Sequence, residues 1–204
     1  TGTGGEALLG ELLEDAELSR ADVKQILKEL KEKNIVPTNN VIMIISTYEE
    51  VGHGSSSIPE DISELIAVDM GCIGEDLACS EYDVSICAKD SSGPYDYEIV
   101  SKFIELAKVN GLNFAVDIYP FYGSDVSAAL RGGNDIKGGL IGPGVHASHG
   151  MERSHKMAID NTIKLILAYF SQFVNCLNIF FAQKMASLLG EKRDRFCSAS
   201  ILLF

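Results

Sequence analysis

Apolar positions in this chain recur first with a helical period. In residues 19–33, Val23, Ile26, Leu27 and Leu30 share one face and charged side chains take the other, which predicts an amphipathic helix. Ser19 is placed to cap it, with Asp22 near the amides of its first turn. Pro37, Asn39 and Asn40 then break the chain. Residues 41–46 form an unbroken, β-branched-rich apolar run, the pattern of a strand buried on both faces, and residues 65–68 repeat it. Residues 84–88 alternate more, which suggests a strand nearer an edge. Tyr97–Val109 carries Val100, Phe103, Ile104 and Ala107 on one helical face and stops at Asn110-Gly111. A strand over 114–118 and a short helix, Asp125–Arg131, follow. This succession predicts an α/β fold, a mixed β-sheet sandwiched by helices.

Residues 163–189 are rich in Leu, Ile and Phe, yet Ser171, Gln172, Asn175, Asn178 and Gln183 interrupt the run and Lys164 and Lys184 flank it. A buried helix pair is expected there rather than a membrane span. Two segments result: a main domain over residues 1–170 and an atypical helical tail over 171–204, which ends in a basic patch and the apolar string Ile201-Leu202-Leu203-Phe204.

Charge narrows the function. Asp and Glu number 29 against 17 Lys and Arg, for a net charge of -12. Such a surface repels phosphate backbones, so no nucleic-acid partner is expected, whereas a site collecting cations or substrate ammonium groups is. The 5 cysteines are odd in number and contain no C-x-x-C pair, which suits free thiols in the cytoplasm. The opening Thr1-Gly2-Thr3-Gly4-Gly5 lacks Met and reads as the cut or processed end of a longer chain.

Candidate chemistry falls at strand ends. Glu49 and Glu50 follow directly on the apolar run 41–46 and precede Gly52-His53-Gly54. Two carboxylates held together at the mouth of a hydrophobic sheet repel, and a bound cation or a raised pKa would relieve them. A solvated acidic loop is the plainer alternative. Asp69 ends the run 65–68 in the same manner, where open α/β sheets gather ligands. A Gly-rich stretch, Gly142 to His155, holds His146, His149 and His155, three of the 4 histidines. Imidazole combined with carboxylate suits zinc or a similar divalent ion.

Four strings, Tyr48-Glu49-Glu50-Val51-Gly52, Ala67-Val68-Asp69, Tyr122-Gly123-Ser124-Asp125 and Ala147-Ser148-His149, occur in that order. Together they resemble the co-catalytic metallo-aminopeptidases of the TET, glutamyl-aminopeptidase and cellulase-M-like family, over roughly residues 19–169. The resemblance implies a zinc-peptidase-like (phosphorylase/hydrolase-like) fold, truncated at its N-terminal side. It also implies two divalent metal ions, zinc or cobalt, and hydrolysis of N-terminal peptide bonds in peptide substrates. By resemblance Glu49 is the general base, Glu50 and His149 bind one metal, Asp69 binds the other, and Asp125 lines the substrate side. A homo-oligomer is compatible with it.

The chain departs from the family pattern in two ligands. No His precedes His53, so the family's early His is missing, and the bridging Asp falls by counting at Asp15, whose neighbours Glu14 and Ala16 do not match. With one ion under-coordinated, little turnover is expected from this chain alone. Two other readings follow: a catalytically inactive relic with one metal or none, and an interaction module that pairs through its apolar tail. A phosphate loop and a serine-hydrolase elbow are both excluded by the absence of their motifs.

Overall fold

The structure, a computed structural model, describes residues 20–34, 41–184 and 199–203. The amphipathic periodicity produces helices where it predicts them: α1 (Arg20–Glu32), α2 (Tyr97–Val109) and α3 (Asp125–Arg131). In α2 the Asp96 carboxylate accepts from the amides of Glu98 and Ile99, and Ile99, Phe103, Leu106 and Ala107 are buried. Gly111 stops the helix at φ 62°, a conformation that is cheap without a Cβ. The Ser19 cap lies outside the described residues.

The strands are β1 (Val41–Ile44), β2 (Ile62–Val68), β3 (Gly71–Cys72), β4 (Val84–Asp90), β5 (Gly93–Pro94), β6 (Phe114–Tyr119), β7 (Lys137–Val145) and β8 (Ala199–Leu203), with helix α4 (Lys156–Lys184) between the last two. They form one mixed sheet in the order β1-β8-β2-β7-β4-β5, with β3 paired to β7 and β6 to β4. β2 runs parallel to β7, which runs antiparallel to β4. One face carries α1, α2 and α4 over a core of Ile66, Val84, Ile86, Phe103, Leu106 and Phe170. The Phe103 and Tyr169 rings join α2 to α4 at a centroid distance of 4.9 Å. The other face packs Leu65, Ala67, Cys87, Tyr119, Val126 and Leu140, and it is this face that carries the cleft described below.

Several sequence expectations differ from the structure. β1 is not buried on both faces: it ends the strand order beside β8, with Ile42 exposed and Val41, Met43 and Ile44 half-buried. β4 does stand next to the edge of the sheet, between β7 and the short β5 with β6, but it does not alternate: Val84 to Cys87 are buried in succession. The strand with alternating burial is β6, whose Val116 and Ile118 are exposed while Ala115, Asp117 and Tyr119 are buried. The expected helix pair is one helix, α4, which runs through the boundary placed at 170. The tail after it is not helical throughout, because β8 lies in the sheet, parallel to both β1 and β2.

β7 was unrecognised in the sequence because its glycines read as a loop. They serve close packing instead: a Cβ on Gly139 would lie 2.6 Å from Ile99 Cγ2, so bare backbone is what lets α2 rest on the strand. Among the described residues no helix is long and apolar enough to cross a membrane.

Candidate active site

Three chain segments leave the sheet at the same end and build one cleft. After β1 a single 3-10 turn, Glu49–Val51, is closed by Gly52 at φ 75°, whose amide donates to the Glu49 carbonyl at 2.7 Å. After β2 the ladder continues one residue, the Asp69 amide donating to the Ile141 carbonyl at 3.0 Å. After β7 a two-bond bridge between His146 and Arg153 closes a loop that displays His149. Ala147 and His149 in that loop hold φ of 56° and 59°. Non-glycine residues adopt this left-handed conformation only under restraint, and such residues cluster at functional sites.

The cleft, of about 250 Å³, is lined by Glu49, Glu50, Asp69 and His149 together. Glu50 Oε2 lies 3.2 Å from His149 Nε2, and both side chains remain largely open to solvent. The Tyr122 ring sits 5.9 Å from the imidazole. Glu49 is half-buried beside them. The four residues on which the metallo-aminopeptidase resemblance rests most heavily therefore share one cavity.

Other predicted positions lie elsewhere. Asp125 is not in the cleft lining: it is 4% exposed, its carboxylate faces Gly54, and its Oδ1 has no hydrogen-bond partner. Its neighbours Gly123 and Ser124 do line the cleft. His146 turns away to Glu81, Nε2 to Oε2 3.5 Å. His155 packs on Tyr82 at 4.9 Å and its Nδ1 accepts from the Met157 amide. The histidine cluster thus contributes one member, not three. Asp15 lies outside the described residues.

The sequence reading missed Asp90, Glu152, Tyr119 and Arg131 in the lining. Asp90 ends an apolar strand just as Asp69 does, so the same signal was present. It is 2% exposed and accepts four bonds, from the Ser92 and Gly93 amides and from the Tyr95 and Ser127 hydroxyls. These four donors satisfy the oxygens of the buried carboxylate from within the protein. Burial pushes the Tyr95 phenol well above its ordinary value. Burial also raises the Cys72 thiol, which opens on the same cleft.

The donor chemistry fits a divalent ion. Two ligand atoms about 2.0–2.1 Å from one tetrahedral centre stand about 3.3 Å apart, which is the Glu50–His149 spacing. Among the described residues no group of three His, Cys, Asp or Glu side chains is arranged to hold an ion.

The sequence profile of the M42 glutamyl aminopeptidases matches residues 9–165. The chain belongs to that family. Among curated proteins it is 44% identical over 156 residues to "Putative aminopeptidase YhfE" of Bacillus subtilis (strain 168), a match covering 76% of this chain and 45% of that one. It therefore spans about half the length of this relative. Among solved structures it resembles a TET aminopeptidase of the marine sediment archaeon Thaumarchaeota archaeon SCGC AB-539-E09 (TM-score 0.57, 14% identity, 74% of this chain and 45% of that one). It also resembles PhTET1-12s, a dodecamer (TM-score 0.50, 23% identity, 61% and 39%). These two likenesses establish the α/β fold of the M42 chain.

Proposed function

We propose that this chain is the part of a metal-dependent aminopeptidase that supplies its general base and three of its metal ligands. The observation that carries the reading is the Glu50–His149 pair, remote in sequence and 3.2 Å apart, in a cleft shared with Glu49 and Asp69. Glu50 and His149 would hold one divalent ion, zinc or cobalt, and Asp69 the second. When bound, such ions polarise a peptide carbonyl and lower the pKa of water. Glu49, whose neighbour serves as ligand, takes the proton of the attacking water and returns it to the leaving amine. The acidic lining of Glu49, Glu50, Asp69, Asp90 and Glu152 draws in the ammonium group of a peptide's first residue. Asp125, buried behind the wall against Gly54, supports the loop that carries the two glutamates.

Family membership supports a homo-oligomer, since one structural relative is a dodecamer, and the free Cys72, Cys79 and Cys87 suit a cytoplasmic setting. The test is metal counting combined with turnover. Zinc should bind the purified chain and be lost in His149→Ala. Hydrolysis of aminoacyl-chromogenic substrates should be weak, metal-dependent and removed by Glu49→Gln. A chain that binds no metal, or turnover that survives Glu49→Gln, overturns the reading.

A further inference from the structure

The loop that displays His149 contains a carboxylate whose part above is only a share in the acidic lining of the cleft. Glu152 Oε1 accepts the backbone amide of His149 at 2.8 Å. That amide belongs to a residue at φ 59°, and the loop has a second left-handed residue in Ala147. The turn is also tied by the Gly150 amide donating to the Ala147 carbonyl at 2.8 Å and by the His146–Arg153 bridge at its base. None of these other bonds engages His149 itself. Its imidazole is aimed at Glu50 while its backbone occupies a conformation that a non-glycine residue leaves unless something holds it.

From this geometry we infer that Glu152 is a positioning residue: it fixes His149 in the left-handed conformation and so aims the imidazole at Glu50. The inference rests on the reading of His149 as a metal ligand. Glu152 acts through the acceptor oxygen, not through its charge, because what it holds is a neutral amide. A glutamine can therefore replace it and an alanine cannot. Glu152 lines the cleft beside the imidazole, so the side chain reaches the amide from the substrate side and the loop closes around it.

The experiment compares zinc affinity by calorimetry in the wild-type chain, Glu152→Ala, Glu152→Gln and His149→Ala, with thermal melts to check folding. Amide hydrogen exchange at His149 is measured in the metal-free protein. Glu152→Ala should weaken zinc binding about tenfold or more, as loss of an outer partner to a ligand typically does, and should speed exchange at His149. Glu152→Gln should restore both. If Glu152→Gln is as impaired as Glu152→Ala, the charge matters and not the held backbone, and the inference fails. It fails equally if Glu152→Ala leaves the His149 amide as slow as before. If His149→Ala binds zinc as well as wild type, the ligand reading falls, and the exchange result alone then decides whether Glu152 holds the turn.

Discussion

A Cβ added to Gly142 would stand 1.8 Å from the carbonyl oxygen of Asp69 and 2.8 Å from the Met70 amide nitrogen. β7 and the end of β2 thus touch backbone to backbone where Asp69 enters the cleft. Gly142→Ala must push Asp69 aside, because both contact atoms are main chain. The expected cost is about 2–3 kcal/mol, with weaker zinc binding. Gly74→Ala, whose new methyl would meet Leu77 Cδ1 at an ordinary 3.6 Å, is the control, with a change of about 1 kcal/mol or less. Urea denaturation of both variants checks this. Equal stabilities would show that the strand ends can part freely.

The adjacent glutamates should separate by role. Glu50→Gln removes a charged donor from the His149 pair and should lower zinc affinity about tenfold or more. Glu49→Gln keeps shape and leaves the ligands in place. Its effect on affinity should be a few tenths of a kcal/mol, roughly twofold, while turnover is lost. Calorimetric titration of the three proteins decides it, and equal affinities would return both residues to an ordinary acidic loop.

The Tyr95 hydroxyl donates to Asp90 Oδ2 at 2.7 Å and meets Ser124 Oγ at the same distance. Tyr95→Phe strips a donor from a buried carboxylate. A hydrogen bond to a charged group contributes about 1.5–3 kcal/mol, and the melting temperature should fall accordingly. A Phe variant as stable as wild type would mean that water replaces the hydroxyl beside Asp90.

Burial pushes the thiols of Cys79 and Cys87 up to about 12 from an ordinary 9.0. Both stay protonated in the folded chain where unfolded thiols ionise, so the unfolded state binds fewer protons between pH 9 and 12. Stability must therefore fall as pH rises through that window. The same burial makes them poor nucleophiles. At pH 8, mass spectrometry of alkylated native protein should find Cys72 modified well before Cys79 or Cys87. Prompt labelling of Cys87 would refute the packing described for β4.

Local signals carried much of this fold into the sequence. α2 and α3 were readable to the residue because Asp96 and Ser124 cap them and apolar spacing continues from there. Asp69 was readable because it follows a buried apolar run; the run before Glu49 and Glu50 is apolar too, but the structure leaves it half-buried to exposed. β7 was not readable, since its glycines answer to Ile99 and the Asp69 carbonyl, neighbours that no local window contains. The burial of β4 was misread for a similar reason: Ser85 breaks its apolar run yet is buried, bonded to the Tyr119 hydroxyl at 2.7 Å across the sheet. His146 and His155 looked equivalent to His149 in sequence. The His146–Arg153 bridge, a tertiary closure, is what sends the three side chains different ways.

β1 touches the sheet through β8, and β2 meets β8 on its other edge, so the strand that leads into Glu49 and Glu50 is seated by residues made late in synthesis. Contacts between segments so far apart in sequence form slowly, because a long loop must close before they yield any gain. Among the described residues β8 is the strand that β1 pairs with, so the seating of the candidate general base depends on a single long-range pairing rather than on its own neighbourhood in the chain.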